Sequence, residues 1–170
     1  MNADIALIDK AIEEHKTYLG RLKTMDDIAN DAEALHGIEK AQETFVPGRL
    51  DAKSKMEELS ELVESINKGL NAHFEREETP LLSVFEKHGD SEMIAGFNSL
   101  IQEHTDLRAR LAETGEKINR LSGGGMSIGQ WEAAAYDMRA YISHTRQLLE
   151  KHAHTEHEIF VSLRNKLENE

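Results

Sequence analysis

The sequence contains no cysteine among its 170 residues. This absence excludes a disulfide framework, a thiolate nucleophile and a thiolate metal ligand. Imidazole and carboxylate groups are left as the metal-binding side chains, and the chain has nine histidines and 32 aspartates and glutamates. Any metal must therefore be held by His, Asp or Glu.

Proline and aromatic residues are also scarce. Only two prolines occur, and aromatic side chains make up 5% of the chain. This usage favours helix over sheet, because sheets are enriched in β-branched and aromatic residues. With 39% hydrophobic residues, the chain has enough apolar material for one core. We expect an all-α protein with a single domain over residues 1–170.

Clusters of basic residues and long apolar runs are absent as well. The formal net charge is −12, and the lysines and arginines are scattered among acids, so no positive patch is available for a phosphate backbone. Charges interrupt the first 15 residues every three or four positions, which excludes a signal peptide or a membrane span there. We expect a cytoplasmic protein with no nucleic-acid or membrane partner.

The first apolar stripe predicts a helix that presents a histidine inward. Apolar residues recur in steps of three and four with one place missing, and His15 fills that place. The stripe consists of Ile5, Ile8, Ile12, Leu19 and Leu22. The helix could continue towards Leu35, before Phe-Val-Pro-Gly at 45–48 marks a turn.

The second stripe carries two polar residues at consecutive inward places. It consists of Leu59, Leu62, Val63, Ile66, Leu70, His73, Glu77, Leu81 and Val84. His73 and Glu77 are four residues apart and so share one face of the helix. Pro80 lies within the pattern, lacks a backbone donor and should kink the helix just after Glu77. Gly89 suits a left-handed cap at the end of this helix.

The third stripe again places a histidine in the core. Asp90 or Ser91 can cap this helix, and His104 takes an inward place. The stripe consists of Ile94, Phe97, Ile101, His104, Leu111, Ile118 and Leu121. The run Ser-Gly-Gly-Gly at 122–125 is a flexible break that ends it.

The fourth stripe repeats the pairing of the second. Ser127 and Gln130 fit a capping box that opens the helix. The stripe consists of Trp131, Ala135, Met138, Ile142, Thr145, Leu149, His152, Glu156, Ile159 and Leu163. His152 and Glu156 stand one turn apart, as His73 and Glu77 do.

Four long amphipathic helices joined by short turns predict an up-down-up-down four-helix bundle. Six inward polar residues also fall at one level of that bundle, within roughly two helical turns at about 1.5 Å per residue. These candidate metal ligands are His15, His73, Glu77, His104, His152 and Glu156. Burying four imidazoles and two carboxylates together is costly unless cations compensate. A hydrogen-bonded His–Glu network without metal is the alternative.

The other histidines either face away from the apolar stripe of their helix or lie at a different level along the bundle axis. Three are expected at the surface or at a helix end: His88, His154 and His157. His144 sits near the edge of the fourth stripe, where contact with the metals stays open. His36 is in phase with His15, but in a continuous helix it would lie about 30 Å along the axis. Only a chain reversal after about Met25 would bring it to the site.

Two tyrosines lie near the level of the candidate ligands. The phases of Tyr18 and Tyr141 put them beside the apolar stripes, so we expect exposed or packing positions rather than a role as ligand or radical.

Imidazole and carboxylate ligands without sulfur suit iron, manganese or zinc. Two carboxylates on facing helices can each bridge a pair of metals, which gives each metal two nitrogens and two oxygens. With an oxo or hydroxo bridge each metal is five-coordinate, and a position is left for a diatomic ligand or peroxide. This redox-capable arrangement favours two iron ions, with Mn or Zn as possible substitutes.

The ordered set of motifs resembles the hemerythrin-like, or HHE cation-binding, domains. It runs from His15 through HFEREE at 73–78 and EHTDLR at 103–108 to HAHTEHEIF at 152–160, and so spans essentially the whole chain. The resemblance implies a non-haem di-iron centre. It assigns His15, His73, His104 and His152 as terminal ligands and Glu77 and Glu156 as bridges.

The sequence departs from oxygen-carrying hemerythrins in two places. Those proteins have a further histidine one turn after the third-helix histidine, where this chain has Arg108. They also end with His-x-x-x-x-Asp, whereas His152 and Glu156 are one residue closer. Reversible oxygen carriage is therefore disfavoured. The likeness is closer to bacterial HHE proteins that resemble di-iron repair or nitric oxide and oxygen-responsive proteins, although the cysteine-bearing amino-terminal segment of the repair proteins has no counterpart here.

Three functions follow as hypotheses. The first is a di-iron protein that binds, senses or reacts with O2, NO or H2O2. The second is a di-iron enzyme, or an iron donor for damaged iron centres under nitrosative or oxidative stress; an enzyme would need an external electron donor. The third is a structural bundle in which metal only stabilises the packing of the helices, as a staple would. The amphipathic pattern leaves the oligomeric state open.

Overall fold

A computed structural model of the chain describes residues 2–41, 50–123 and 125–170. Within these ranges, only the backbone is described at 31–41 and 50–55. The described residues form five α-helices and one π-helical turn. They are α1 (Asn2–Ala41), α2 (Leu50–Arg76), the π-helical turn (Glu77–Leu81), α3 (Leu82–His88), α4 (Ser91–Ser122) and α5 (Ile128–Glu168). Because α2, the π turn and α3 follow one another without a gap, the described chain forms four long helices. No strand occurs among the described residues.

The four long helices form a closed bundle. α1 packs against α2 and α5, and α4 packs against the same two helices from the other side. Only Gly89 and Asp90 separate α3 from α4, and residues 123–127 separate α4 from α5, so these helices must reverse direction. The prediction of an all-α, up-down-up-down four-helix bundle is confirmed. No helix in the described ranges is long and apolar enough to cross a membrane.

The apolar core is divided into two clusters along the bundle axis. One contains Leu22, Leu70, Leu111 and Leu149 among others, and the second contains Ile8, Phe85, Phe97, Phe160 and Leu163 among others. On α1, the residue between Ile8 and Leu22 that is buried and charged or polar is His15. The other three long helices likewise carry their buried His and Glu residues where one cluster gives way to the other. A polar layer therefore crosses the middle of the bundle.

Polar caps begin α4 and α5 as predicted. The Asp90 carboxylate accepts a hydrogen bond from the backbone N–H of Met93 at 2.8 Å, so Asp90 rather than Ser91 is the cap of α4. At α5, Ser127 and Gln130 exchange backbone and side-chain hydrogen bonds in a complete capping box. Each cap satisfies amide groups that would otherwise lack partners at the helix start.

The irregularity expected at Pro80 takes the form of a π-helical turn. Pro80 lies inside this turn, whose first and last residues, Glu77 and Leu81, are both buried. Proline has no N–H to donate and its ring crowds the preceding turn. A wider turn relieves that crowding and carries the helix past Pro80 into α3. The sequence located the irregularity but predicted a kink rather than this local change of helix type.

The left-handed cap predicted at Gly89 is wrong. Gly89 has φ −73° and ψ 156°, an extended conformation, because the next residue, Asp90, already begins α4. The glycine is needed for a close approach instead. Its N–H donates to the Phe85 carbonyl at 2.7 Å, and a Cβ atom at this position would lie 2.6 Å from the same oxygen.

Substitution of Gly89 by alanine should therefore destabilise the protein. The added Cβ would clash with backbone rather than with a movable side chain, at a cost of about 1–3 kcal/mol. Gly115→Ala is the matched control, because Gly115 lies within α4 and nothing comes within 4 Å of its added Cβ. Alanine there should stabilise the helix by about 0.5–1 kcal/mol. Chemical denaturation measures both free energies of unfolding, and equal stability of the two variants would contradict the close approach at Gly89.

Candidate metal centre

Six polar side chains meet in the layer between the two apolar clusters. α1, α2, the π turn and α4 each contribute one, and α5 contributes two. They are His15, His73, Glu77, His104, His152 and Glu156, and we refer to them as the polar layer. None is more than 4% exposed. The structure thus brings together all six residues selected from the sequence.

The two carboxylates lie between the imidazoles. Glu77 places Oε1 2.6 Å from His73 Nε2 and Oε2 3.0 Å from His104 Nε2, so its two oxygens face different histidines. Glu156 Oε1 lies 2.9 Å from His152 Nε2 and 3.5 Å from His15 Nε2. Each carboxylate is therefore shared between two helices.

The donor atoms fall into two overlapping sets of four, and each set could hold one metal ion. We call the set of His15, His73, Glu77 and Glu156 the first position, and the set of Glu77, His104, His152 and Glu156 the second position. Within each set, one donor atom from every residue lies within 4.8 Å of the others. Two cations placed in these positions would share both carboxylates and would each have two imidazoles.

The spacing of the donors fits cations. Two ligand atoms that are each about 2.1 Å from one ion, at angles of 90–109°, lie roughly 3.0–3.4 Å apart. Most of the nitrogen–oxygen distances in the layer are close to that range: the His104–Glu77 distance is 3.0 Å, the His152–Glu156 distance 2.9 Å and the His15–Glu156 distance 3.5 Å. Oxygen and imidazole nitrogen donors without sulfur suit iron, manganese and zinc.

A self-satisfied His–Glu network does not describe this layer. Eleven buried side-chain atoms of the described residues have no hydrogen-bond partner, and ten of them belong to the six residues of the polar layer. Although several nitrogen–oxygen pairs are close, they do not meet with the directions of hydrogen bonds. Buried polar atoms without partners are rare and costly in folded proteins. Eight of the ten are the four histidine Nε2 nitrogens and the four oxygens of Glu77 and Glu156, and cations shared within the layer would satisfy these eight together.

The protonation preferences of the two carboxylates diverge. Burial raises the pKa of Glu77 well above its usual range, and the nearby charge of Glu156 adds to the effect. Burial would also raise the pKa of Glu156, but its contacts with His15 and His152 outweigh burial and lower it. Burial and the neighbouring carboxylate thus oppose ionisation of Glu77, and a cation bound beside it would favour the ionised form.

The histidines are held from outside by three acidic residues, which we call the outer carboxylates: Glu14, Glu78 and Glu103. His104 Nδ1 hydrogen-bonds to Glu78 at 2.9 Å and His152 Nδ1 to Glu103 at 2.6 Å. Glu14 lies 3.5 Å from His73 Nδ1. A carboxylate accepts the Nδ1 proton and so leaves the Nε2 lone pair free to face a cation.

The outer carboxylates link the helices in one direction around the bundle. Each is adjacent in sequence to a member of the polar layer but contacts a histidine on the next helix, from α1 to α2, from the π turn to α4 and from α4 to α5. The fourth link is missing, because His15 Nδ1 has no partner among the described residues. The sequence analysis missed this ring; an acidic neighbour beside three of the six ligands was the available signal.

Two arginines fix two of the outer carboxylates. Arg76 contacts Glu14 through Nε at 2.9 Å and through Nη2. Arg108 donates to Glu78 at 2.6 and 3.1 Å. Burial acts to raise the pKa of Glu14, but His73 and Arg76 lower it to about 2. Contact with Arg108 likewise lowers the pKa of Glu78. Arg108 therefore supports His104 through Glu78 and does not itself enter the polar layer.

The other histidines lie outside the polar layer wherever their side chains are described. Exposed positions confirm the prediction for His154 and His157, and His144 is exposed beside Arg110 at 3.2 Å. His88 ends α3, as expected, and its ring lies 3.1 Å from the Asp4 carboxylate. The side chain of His36 lies outside the described residues, but α1 continues through this position without the chain reversal that would be required.

Tyr18 has a buried hydroxyl whose position could not be predicted from its phase on the helix. Its ring is in the core with 4% exposure, as a packing role requires, but its hydroxyl is the eleventh buried atom without a hydrogen-bond partner. Burial and the charges of Glu156 and Glu77 raise the pKa of this hydroxyl well above 10.0. Tyr141, in contrast, donates to Glu113 at 2.6 Å.

A family model of known proteins matches most of the chain. The family model described as hemerythrin HHE cation binding domain matches residues 6–163, a range that includes the whole polar layer and all three outer carboxylates. No curated protein and no solved structure matches the chain.

Loss of charge at Glu78 should weaken cation binding. Glu78→Gln keeps the size of the side chain but removes the ionised partner of His104 Nδ1, and loss of such a partner costs about 10–100-fold in affinity. Competition between the protein and a chromophoric chelator for Zn²⁺ measures the change. Glu158→Gln is the control, because Glu158 is exposed and its carboxylate lies 3.5 Å from exposed His154, away from the polar layer. Equal Zn²⁺ affinity of Glu78→Gln and the unaltered protein would contradict the supporting role.

Proposed function

The chain belongs to the family of hemerythrin HHE cation-binding domains, and we propose that it is a non-haem di-iron protein that binds, senses or reacts with O2, NO or hydrogen peroxide. The observation that carries the proposal is the pair of overlapping donor sets. Each set has two imidazoles, and both sets share the carboxylates of Glu77 and Glu156. A single cation would leave half of the imidazoles without a partner.

The proposed ligand assignment follows the two positions. His15 and His73 would hold one iron, His104 and His152 the other, and Glu77 and Glu156 would contact both. Two irons held in this way would supply a redox-active centre with room for one small ligand. The four neutral imidazoles and two carboxylates contribute a charge of about −2, which the cations offset in a buried layer.

The protein supplies a dry and rigid surrounding for such a centre. Phe74 stacks on the His104 ring with centroids 3.9 Å apart, and Phe160 stacks on the His15 ring at 5.5 Å. Both phenylalanines are fully buried. Exclusion of water strengthens electrostatic interactions within the layer, and the outer carboxylates keep the imidazoles in orientation.

A surface cleft reaches the edge of the polar layer. It lies between α4 and α5, has a volume of about 300 Å³, and its lining includes His152, Glu103, Leu107 and Leu148. Glu103 in this lining bonds to His152 Nδ1. Each of the six residues of the polar layer is at most 4% exposed. This burial, and not the size of the cleft, favours small ligands over organic substrates.

A role in turnover would require an electron donor from outside the chain. The alternatives are a peroxide or nitric oxide reductase, an iron donor in repair of iron centres, and a bundle that metal only stabilises. Mixing the reduced protein with NO under anaerobic conditions separates them. One stoichiometric adduct without product supports binding or sensing, steady product formation supports an enzyme, and the absence of any adduct contradicts the proposed function.

The His104→Ala variant tests whether the metal layer is functional rather than only structural. It removes an imidazole of the second position, so we expect at least one iron per chain to be lost and NO adduct formation to fall by tenfold or more, as for loss of a direct ligand. His154→Ala, which alters an exposed histidine on α5, should leave both iron content and adduct unchanged. A His104→Ala protein that melts at a lower temperature yet reacts with NO as before would support the stapling role instead.

A further inference from the structure

The Tyr18 ring lies against the two imidazoles of the first position of the polar layer. Tyr18 follows His15 by three residues on α1, so both side chains lie on one helix face. Its ring meets the rings of His15 and His73 edge to face, with centroid separations of 5.5 and 5.4 Å. These are the two imidazoles of the first position.

This hydroxyl differs from every other buried polar group outside the polar layer. Within the described part of the chain, eleven buried side-chain atoms lack a hydrogen-bond partner, and the Tyr18 hydroxyl is the one that does not belong to the six proposed ligands. A buried O–H group without a partner is destabilising. Its persistence beside the layer indicates that a partner arrives with whatever binds there.

The Tyr18 hydroxyl can act as a hydrogen-bond donor. A tyrosine hydroxyl ordinarily keeps its proton at neutral pH and can donate one hydrogen bond. Both donor sets already have four members without Tyr18, so neither needs the phenol as a metal ligand.

The two positions of the polar layer differ in the aromatic side chains that lie beside them. The second position is faced by Phe74, whose ring lies 3.9 Å from the His104 ring and 6.0 Å from the His152 ring, measured between centroids. Phenylalanine has no hydrogen-bond donor. His15, in the first position, is also the histidine whose Nδ1 lacks an outer carboxylate. Of the aromatic side chains named beside the polar layer, Tyr18 carries a hydroxyl donor and Phe74 and Phe160 carry none.

We propose that the Tyr18 hydroxyl is a positioning residue that donates a hydrogen bond to a small electron-rich ligand bound at the first position. The inference rests on the proposed function, since it needs the iron pair to hold that ligand. It makes the two positions unequal, with the exogenous ligand on the side of His15 and His73. No bond is made or broken in the protein by this interaction.

Azide is the probe for the test, with the full-length, iron-loaded and oxidised protein. Tyr18→Phe should keep the iron content and the optical spectrum recorded without azide, and should weaken azide binding about tenfold or more, as expected for loss of a hydrogen bond to a charged acceptor. Tyr141→Phe is the control, because Tyr141 donates to Glu113 away from the polar layer, and it should bind azide as the unaltered protein does.

A second measurement can overturn the inference with the unaltered protein alone. The infrared band of bound azide should shift when this protein is transferred from H2O to D2O, because the donated hydrogen becomes deuterium. The shift should be absent in Tyr18→Phe and present in Tyr141→Phe. If the unaltered protein shows no shift, the role of Tyr18 is overturned even if Tyr18→Phe folds poorly.

The outcomes separate the inference from the proposed function. If the unaltered iron-loaded protein binds no azide and no NO, the proposed function fails. If it binds azide without an isotope shift, or if Tyr18→Phe binds azide equally well, the role of Tyr18 is overturned while the proposed function stands. Loss of iron, or loss of a visible absorption band in Tyr18→Phe before azide is added, would identify Tyr18 as a metal ligand and would also overturn the proposal.

Discussion

The structure depends on the burial of two carboxylates, Glu77 and Glu156, in the middle of an otherwise apolar bundle. Both are 0% exposed, and apolar clusters lie on either side of them along the axis. An isolated buried carboxylate is too costly to keep ionised, and the four surrounding imidazoles together with the cations they can hold offset that cost. The need for this offset explains why all four long helices contribute to one level of the bundle.

The outer carboxylates extend this constraint to the packing of the helices. Each contacts the histidine of the neighbouring helix, so a rotation or a shift of one helix would disturb a ligand on the next. Glu14 and Glu78 are in turn held by Arg76 and Arg108. The position that carries a metal-binding histidine in oxygen-carrying hemerythrins is thus occupied by a residue that fixes an outer carboxylate. The open link at His15 leaves the first position less constrained than the second.

The fold and the polar layer could be predicted because both depend on periodicity. Apolar steps of three and four residues defined the four helices, and the interruptions at His15, His73, Glu77, His104, His152 and Glu156 defined the layer. Local chemistry also predicted the caps at Asp90 and Ser127. The conformation of Gly89 was mispredicted because it depends on how soon the next helix begins, which a single cap motif does not specify.

Contacts between helices could not be predicted in the same way. Whether Glu14 or Glu103 reaches a histidine depends on the rotation of two helices relative to each other, and a phase counted along one helix does not contain that angle. The same reason hid the direction of the Tyr18 hydroxyl, since a residue beside the stripe can face either solvent or a neighbouring helix.

The most direct test of the account is the metal content and near-ultraviolet spectrum of the purified, oxidised protein after growth with iron. The account predicts two irons per chain and the absorption bands of a bridged iron pair. Well under one metal per chain, with no such bands after reconstitution with ferrous iron, would contradict it.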